Sequence, residues 1–486
     1  METLKDIEAV LGPVPAGPIV GGQVAATAAT LAVVDPATEE TLTEIGVGDT
    51  DTGVAAVDAA AAAMSGWAAL APRRRSEVLR RAYELMTERG DALAHLIVLE
   101  NGKALADARS EVAYAAEFFR WYAEEAVRLE GTVETAPAGT NRILVLRQPI
   151  GVSLLITPWN FPAAMATRKI GPALAAGCAV VLKPASETPL TALAIAAILG
   201  EAGVPDGVVN VVPARNADAF SSRLLDDDRV RKVSFTGSTE VGRLLLAHAA
   251  RTVVSSAMEL GGNAPFVVLA DADLDEAVQG AMVAKLRNGG SACTAANRFI
   301  VHESLADEFS GRFATAMAEL SVGPGVQPGN TIGPLVNAKT RDKVASLVQG
   351  AVDGGARTLT GGQAPDRRGY YYLPTVLGGV AQDAPILGEE IFGPVAPVVS
   401  FRDLDEAVSL ANATEYGLVS YVYTTDLRAG LQVSERLDSG MVGLNRPVVS
   451  DPAAPFGGTK QSGLGREGGH EGMLEFTESK YIAVEW

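Results

Sequence analysis

The order of hydrophobic and polar positions divides the chain into a helical opening part and a longer part with strands. Apolar residues recur at helical spacing, with Glu and Arg on the exposed faces, over 51–67, 73–89 and 110–129, which predicts three helices. Residues 132–146 are rich in Thr, Val and Leu with Pro and Gly breaks. They predict an extended, hairpin-like excursion that lies outside the core.

From residue 151 onwards, short apolar segments alternate with helical ones. We expect strands at 151–156, 179–182, 208–212, 232–235, 264–269 and 299–301. We expect helices at 166–176, 188–202, 271–287 and 305–320, and a further helix that opens near Ser238. This alternation is typical of parallel sheets with helices on both faces. The sequence therefore predicts an α/β protein with two successive parallel-sheet units and a tail.

Length, charge and cysteine content narrow the class of protein. A chain of 486 residues predicts two or three domains at roughly 100–200 residues per domain. The net charge of -18 argues against nucleic acid or an anionic membrane as a partner, because both require a basic surface. The acidic start is unlike a signal peptide, and no apolar run is long enough for a membrane span. Two cysteines imply no disulfide framework, so we expect a cytoplasmic protein.

Cys293 is the first candidate for chemistry, because small residues on both sides leave room for a ligand to reach its sulfur. The alternative interpretation is a buried structural cysteine. A cysteine hydrolase would need a histidine base, and no histidine occurs in a glycine-rich or loop motif typical of a site. The four histidines are His95, His248, His302 and His470. A carboxylate partner for the cysteine is therefore worth seeking.

Two further residues could complete such a site. Glu259 ends an apolar strand before a Gly-Gly turn, where it is either a solvated strand end or, beside a cysteine nucleophile, a general base. Asn160 lies in the loop 157–162, which two prolines fix. The loop could be ordinary turn chemistry, but the Asn160 amide could also donate a hydrogen bond to an oxyanion.

The signals for a nucleotide site are unusual. The only G-x-G-x-x-G match, at 463–468, follows no strand of a βαβ unit, so we reject it as a dinucleotide fingerprint. The segment 235–242 lies between a strand and a helix and lacks the lysine of a P-loop, yet its backbone N–H groups could bind a phosphate. Lys183 lies at the carboxyl end of a strand, where α/β proteins bind their ligands.

Taken together, these motifs resemble the aldehyde dehydrogenase superfamily over nearly the whole chain. The motifs that carry the resemblance are 158–162, 183–189, 235–242, 259–265, Cys293 and 389–394. Within the superfamily, the chain is most similar to bacterial succinate-semialdehyde dehydrogenases. The stretches that support this are 167–169, 285–288, 455–458 and 463–468.

The resemblance implies a role for each matching residue. Cys293 would be the nucleophile, Glu259 the base, and Asn160 with the backbone N–H of Cys293 the oxyanion hole. The cofactor-binding residues would be Thr157, Pro158, Trp159, Asn160, Lys183, Ser186, Glu187, Phe235, Gly237, Ser238, Val241, Leu260, Glu390 and Phe392. The substrate carboxylate would be bound by Arg168, Arg287 and Ser450. No metal is implied.

The resemblance also bears on the cofactor and the substrate. In this superfamily an acidic residue three positions after the lysine binds the adenosine ribose and repels a 2′-phosphate, but here that position is Ser186. We therefore expect NADP, with NAD as the alternative. Either arginine alone could form a structural ion pair, but both at matching positions favour a substrate carboxylate, hence succinate semialdehyde.

The architecture implied is a Rossmann-like cofactor domain at 1–130 and 148–260 and a catalytic domain at 261–455. A small β oligomerisation element would comprise 131–147 and 470–486, so we expect a homodimer or homotetramer. The nearest alternative function is a dehydrogenase of another aliphatic or aromatic aldehyde. More distant alternatives are a catalytically silent binding relative and a cysteine acyltransferase or hydrolase without redox chemistry.

Overall fold

The computed structural model describes residues 3–485. The helices of this part, α1 to α15, are Leu4–Leu11, Thr50–Ala69, Pro72–Glu88, Gly90–Asn101, Leu105–Glu125, Pro162–Ala176, Pro189–Glu201, Ala217–Leu225, Thr239–Thr252, Leu274–Leu286, Ala306–Ala318, Ala338–Asp353, Leu404–Asn412, Leu427–Arg436 and Glu471–Leu474. The strands, β1 to β22, are Ile19–Val20, Gln23–Val24, Ala29–Asp35, Glu40–Val47, Thr132–Thr135, Asn141–Pro149, Val152–Ile156, Val180–Lys183, Val209–Val211, Val230–Thr236, Ser255–Glu259, Ala264–Val268, Ala296–His302, Arg357–Thr360, Thr375–Gly378, Val395–Phe401, Tyr416–Gly417, Val419–Tyr423, Met441–Leu444, Thr459–Lys460, Gly463–Leu464 and Thr477–Glu485.

The first large sheet has the strand order β2-β1-β9-β8-β7-β10-β11-β21. The five central strands, β9, β8, β7, β10 and β11, are parallel to one another, as the alternation from residue 151 predicts. Neighbouring residues of one strand pack into different cores: Leu154 of β7 packs with α2, and Leu155 packs with α6 and α7. Because both faces are covered, most residues of these strands are buried.

The second large sheet has the order β14-β15-β16-β13-β12-β18-β19 and is parallel except at β14. Helices α10 and α11 pack on one face, and α13 and α14 pack on the other. The chain passes from the first sheet to the second between Glu259, the end of β11, and Ala264, the start of β12. The predicted fold class, two parallel-sheet α/β units, is confirmed.

A separate three-stranded sheet joins two distant parts of the chain. Strand β6 pairs with β5 in the predicted hairpin and, along nine positions, with the C-terminal strand β22. Val133 and Tyr481 are well exposed on this sheet. The elements that were not predicted from the sequence include the buried helix α4 and the β3–β4 hairpin.

Two buried carboxylates position the helices that begin beside the site. Helices α6 and α7 both start with proline and have no side-chain cap of their own. Glu111 of α5 accepts hydrogen bonds from the first N–H groups of α6, at Ala163 (2.8 Å), and pairs with Lys103. Glu100 of α4 accepts from the corresponding groups of α7. The negative charge of each carboxylate lies at the positive end of a helix dipole.

Within residues 3–485, no single helix is both long and apolar enough to cross a membrane. One bent pair, Thr50–Ala69 with Pro72–Glu88, would pass on length and composition alone. The described residues also contain no group of three or more His, Cys, Asp or Glu side chains that could hold a metal ion.

Replacing Glu111 tests how far the site depends on this buried scaffold. Glu111→Ala leaves Lys103 buried without its carboxylate and uncaps α6, so we expect a loss of about 3–5 kcal/mol in the free energy of unfolding. The matched control is Glu117→Ala on the same helix, which removes a solvent-accessible pair with Arg120 and should cost less than about 1 kcal/mol. Guanidinium unfolding followed by tryptophan fluorescence measures both. Equal losses would contradict the assigned role of Glu111.

Candidate active site

The candidate residues lie where the carboxyl ends of the parallel strands in the first sheet meet loops from the second unit. The loops after β7 and β10 carry Asn160 and Ser238. Lys183 is the last residue of β8, and Glu259 is the last residue of β11. Ligands of parallel α/β sheets bind at this edge. The fold therefore brings the motifs, which are far apart in sequence, to one region.

Cys293 lies in a tight loop after α10. The turn Arg287–Gly290 contains Asn288 in the left-handed conformation, at φ 56°. The Asn288 side chain donates hydrogen bonds to the carbonyls of Ser291 (2.9 Å) and Asn160 (2.8 Å). These contacts fix the cysteine loop against the Asn160 loop. The sequence analysis did not identify Asn288 as part of the site.

Asn160 is buried, and its side chain is held in place. Its Nδ2 donates to the Ser291 carbonyl at 3.1 Å, and its Oδ1 accepts from the backbone N–H of Phe161. Beneath it, the buried Lys103 donates to the Asn160 carbonyl at 2.6 Å. An amide nitrogen carries two hydrogens, so Asn160 retains one for a further acceptor. This is the arrangement that an oxyanion donor requires.

Glu259 is buried, and its Oε2 has no hydrogen-bond partner among the described residues. Burial raises its pKa well above the ordinary value, and the negative charge of Glu467 raises it further, against the opposing charges of Arg168 and Lys169. A carboxylate with a raised pKa is a stronger base than an ordinary one. Glu259 is therefore suited to remove a proton from a group that enters the site.

The turn after Glu259 packs directly on the nucleophile loop. A side chain at Gly262 would place a Cβ 2.3 Å from the carbonyl oxygen of Cys293, so only glycine fits there. Cys293 itself is partly exposed. Burial raises the pKa of its thiol to about 12, and the positive charge of Arg168 is the largest influence that opposes this rise. The free thiol is thus mostly protonated at neutral pH.

Arg168 lies deeper than the sequence analysis implied. It is 1% exposed, its Nε lies 2.6 Å from a carboxylate oxygen of Glu467, and its guanidinium is 4.2 Å from the centre of the Phe456 ring. Lys169 contacts the same carboxylate. Glu467 belongs to the glycine-rich 463–468 motif, which was rejected as a nucleotide site. That motif instead contributes β21 and this carboxylate.

Arg287 has a different environment. It lines a cavity of about 510 Å³ together with Ser450, Tyr114 and Asp107. Its Nη1 donates to the Ser450 hydroxyl at 3.4 Å, and its guanidinium lies 5.1 Å from the centre of the Phe161 ring. The predicted pair Arg287 and Ser450 is therefore brought together. Ser450 is neutral, and the carboxyl group of Asp107, which lines the same cavity, lies within electrostatic reach of Arg287.

The residues assigned to the cofactor form a second group beside the first. Lys183 is buried at the end of β8, where it donates to the carbonyl of Pro184 (3.0 Å). Burial lowers its pKa to about 8. Thr157 joins its loop to this strand by donating from its backbone N–H to the Lys183 carbonyl. Pro158 is partly exposed on the same loop. The buried amine donates to a carbonyl and lies within electrostatic reach of Glu187, and it is suited to an anionic or hydroxyl-rich ligand.

The helix after β10 presents its N-terminus at the same edge. Ser238 caps α9 by accepting from the N–H of Val241, which is exposed. A side chain at Gly237 would overlap the ring of Phe235, so the approach to the helix end stays open. Leu260 packs beneath α9, against Gly242. An open helix N-terminus fits a phosphate group.

Glu390 and Phe392 reach this group from the second unit. Glu390 Oε1 accepts from the N–H of Gly262 at 3.0 Å, and burial raises the Glu390 pKa to about 7. The Phe392 ring packs edge-on against Trp159 with ring centres 5.4 Å apart. Glu390 and the Cys293 loop thus contact the same turn. The residues assigned to the cofactor therefore lie next to the loop that carries Cys293.

The thiol pKa predicts how Cys293 reacts in the nucleotide-free protein. Burial raises the pKa to about 12, so the reactive thiolate should increase about tenfold per pH unit between pH 7 and 9 without levelling off. Iodoacetamide labelling followed by peptide mass spectrometry measures the rate at Cys293. Cys293→Ser is the control for labelling at the buried Cys178. A plateau below pH 8 would contradict the assigned environment.

Comparisons with known proteins agree with this arrangement. Residues 24–482 match the model of the aldehyde dehydrogenase family. The chain is 57% identical over 431 residues to a succinate-semialdehyde dehydrogenase of Paenarthrobacter nicotinovorans, covering 89% of this chain and 96% of that protein. It is 46% identical over 452 residues to the NADP(+) succinate-semialdehyde dehydrogenase GabD of Escherichia coli strain K12, covering 93% and 94%.

Two further relatives extend the comparison. A glutarate-semialdehyde dehydrogenase of Pseudomonas putida strain KT2440 is 46% identical over 458 residues, covering 94% of each chain. The crystal structure of succinate-semialdehyde dehydrogenase from Burkholderia pseudomallei superposes with a TM-score of 0.95 at 46% identity, covering 97% of this chain and 98% of that one. With its fold, its cysteine site and these matches, the chain belongs to the aldehyde dehydrogenase family.

Proposed function

We propose that this protein oxidises succinate semialdehyde to succinate with NADP as the hydride acceptor. The observation that carries the proposal is Arg287, which lines a cavity beside the Cys293 loop and, among residues 3–485, donates a side-chain hydrogen bond only to the neutral hydroxyl of Ser450. A guanidinium matches a carboxylate in a bidentate manner, so the cavity suits an aldehyde with a distal carboxylate. Two of the relatives above are named for this substrate.

The chemistry begins at Cys293. Its thiolate attacks the aldehyde carbon, and the oxyanion that forms is stabilised by the free hydrogen of the Asn160 amide and by the backbone N–H of Cys293. Losing one such donor typically costs about 3–4 kcal/mol of transition-state stabilisation. A bound nicotinamide would supply the acceptor for the hydride that leaves the former aldehyde carbon. Cys293 then holds the acyl group as a thioester.

Glu259 completes the reaction. Its unpartnered Oε2 takes a proton from a water molecule, which attacks the thioester and releases the acid. The raised pKa of Glu259, caused by burial first and by Glu467 second, predicts that this step is favoured by higher pH. The carboxyl group acts as a base only once it is ionised.

The cofactor assignment rests on the groups around Lys183. Lys183 and Ser186 would bind the adenosine ribose and its phosphate, Gly237 and Ser238 the pyrophosphate, and Glu390 the nicotinamide ribose. The neighbouring carboxylate, Glu187, accepts a hydrogen bond from Asn337, at 3.4 Å. The charge of Glu187 also acts on Lys183. At the position three residues after Lys183, Ser186 offers a small hydroxyl where a carboxylate would repel a 2′-phosphate. The E. coli relative is named for NADP(+).

The assembly and domain boundaries are also part of the proposal. We place the cofactor domain at 1–130 and 148–260, the catalytic domain at 261–455, and the oligomerisation element at 131–147 and 470–486. The oligomerisation element contains the three-stranded sheet of β5, β6 and β22, and the exposed apolar side chains of this sheet support a homodimer or homotetramer. We assign the protein to the cytoplasm.

A second candidate substrate is glutarate semialdehyde, which is one methylene longer. A relative of similar identity is named for it, and its carboxylate would meet the same arginine. One methylene in a pocket is worth only about 1–3 kcal/mol. The preference for one aldehyde over the other is therefore measured as the ratio of their kcat/KM values.

The test is turnover by the purified protein. Reduced-nicotinamide absorbance is followed with succinate semialdehyde, glutarate semialdehyde and butanal, each with NADP and NAD in parallel. We expect the highest kcat/KM for succinate semialdehyde with NADP, and no turnover in Cys293→Ala. A preference for butanal, or for NAD, would overturn the corresponding part of the proposal.

Arg287 supplies a sharper prediction. Arg287→Ala removes the charge that faces the substrate carboxylate, so kcat/KM for succinate semialdehyde should fall at least about 30-fold, mostly through KM. The value for butanal should change little. The matched control, Arg312→Ala, removes the same charge from an exposed helix face. If both aldehydes lose equally, Arg287 does not bind the carboxylate.

A further inference from the structure

The segment 387–392 carries two of the residues assigned to the cofactor, Glu390 and Phe392, although most of it belongs to no helix or strand. Phe392 has the left-handed conformation, at φ 58°. A residue other than glycine adopts this conformation at a cost in free energy, and it stays there only when the surrounding contacts hold the backbone. The contacts that hold this segment therefore decide where Glu390 lies.

Three side chains from different elements donate hydrogen bonds to backbone carbonyls of this segment. They are Asn263 Nδ2 to Leu387 (2.7 Å), Asn297 Nδ2 to Glu389 (3.3 Å) and Lys343 Nζ to Glu390 (2.7 Å). Lys343 is exposed on α12, whereas Asn263 and Asn297 are buried. Asn297 belongs to β13, the strand that follows Cys293. Its hydrogen bond therefore joins the nucleophile strand to the segment that carries Glu390.

Lys285 is the partner of Asn297 on the other side. It is fully buried on α10, and its Nζ donates to the Asn297 Oδ1 at 3.1 Å. Among residues 3–485, this is its only hydrogen bond, and no carboxylate pairs with it. Burial accordingly lowers the pKa of the amine to about 7. A buried lysine without a carboxylate is unfavourable and calls for an explanation.

The amine selects one orientation of the Asn297 amide. A backbone carbonyl only accepts hydrogen bonds, so the amide nitrogen must face Glu389 and the amide oxygen must face away from it. Lys285 donates to that oxygen. An amide rotated by 180° would lose this bond, and its oxygen would face the Glu389 carbonyl, which is also an acceptor. The buried amine thus acts through Asn297 on the segment 387–392.

We propose that Lys285 and Asn297 are positioning residues that fix the Glu389 carbonyl and so place Glu390 for the nicotinamide ribose of the cofactor. This inference rests on the proposed function and deepens it, because that function assigns Glu390 to this ribose. The adenosine half of the nucleotide is assigned to other residues, around Lys183. Loss of the hydrogen-bond chain should therefore weaken the binding of the nicotinamide half alone.

Asn297→Asp is the direct test. The carboxylate keeps an acceptor for Lys285 but replaces the donor to the Glu389 carbonyl by a second acceptor. Isothermal titration calorimetry without aldehyde measures the Kd of NADP and that of adenosine 2′,5′-bisphosphate, which lacks the nicotinamide ribose. We expect the Kd of NADP to rise about tenfold, and the Kd of the bisphosphate to stay within about twofold. The ratio of the two Kd values separates the position of Glu390 from a general loss of folding.

A second variant removes the other member of the chain. Lys285→Met keeps the length of the side chain but no longer holds the Asn297 amide, so the same ratio should rise about threefold or more. The matched control is Asn412→Asp. Asn412 also lies in the second unit and donates to a backbone carbonyl, that of Arg436 at 2.9 Å. The control should leave the ratio unchanged, and an equal rise in Asn412→Asp would overturn the proposal.

Glu390→Gln distinguishes a failure of this inference from a failure of the proposed function. If Glu390→Gln weakens NADP binding but Asn297→Asp and Lys285→Met do not, the cofactor site stands and the positioning role is wrong. If Glu390→Gln leaves the Kd of NADP unchanged, Glu390 does not bind the ribose, and both are wrong. An equal loss of affinity for NADP and for the bisphosphate in Asn297→Asp would also overturn the positioning role.

Discussion

The hydrogen bonds of Asn288 hold together two loops that belong to different sheets. One carbonyl it binds, Ser291, belongs to the cysteine loop, and the other, Asn160, belongs to the loop after β7. A site of this chemistry needs its nucleophile and its oxyanion donor at a fixed separation, because a displacement of about 1 Å can cost 100-fold in rate. The left-handed turn at Asn288 is therefore a constraint on which the site depends.

Charge is arranged around this junction in compensated groups. Lys103 pairs with Glu111 beneath Asn160, while Arg168 and Lys169 share Glu467 behind Glu259. A buried charge without a partner would cost several kcal/mol. Arg287 lines a cavity, donates to the neutral hydroxyl of Ser450 and lies over the ring of Phe161. In a chain of net charge -18, such a local cation is what could attract an anionic substrate.

Local sequence pattern predicts much of the fold. The strand from Val152 and the helix from Thr239 follow from apolar segments and turns, and the structure confirms the two parallel-sheet units. The loop carrying Asn160 and the strand end at Glu259 are likewise apparent from neighbouring prolines and glycines. These features depend on residues close in sequence, so they can be recognised without a structure.

Contacts across the chain could not be predicted in the same way. Glu467 contacts Lys169, which is 298 residues away in the sequence, and Asn288 is hydrogen-bonded to Asn160, which is 128 residues away. No local spacing encodes such pairs, since they arise only when strands and loops meet at one sheet edge. For the same reason, the pairing of Arg168 with Glu467 became apparent only in the fold.

The central claim is that Cys293 carries the acyl group and that Glu259 releases it. Its most direct test is Glu259→Gln mixed with succinate semialdehyde and NADP, followed by rapid quench and peptide mass spectrometry. The account predicts a burst of about one equivalent of reduced nucleotide per site. It also predicts a mass increase equal to one succinyl group on the Cys293 peptide. If the Glu259→Gln variant turned over at the wild-type rate and carried no adduct on that peptide, the result would contradict the account.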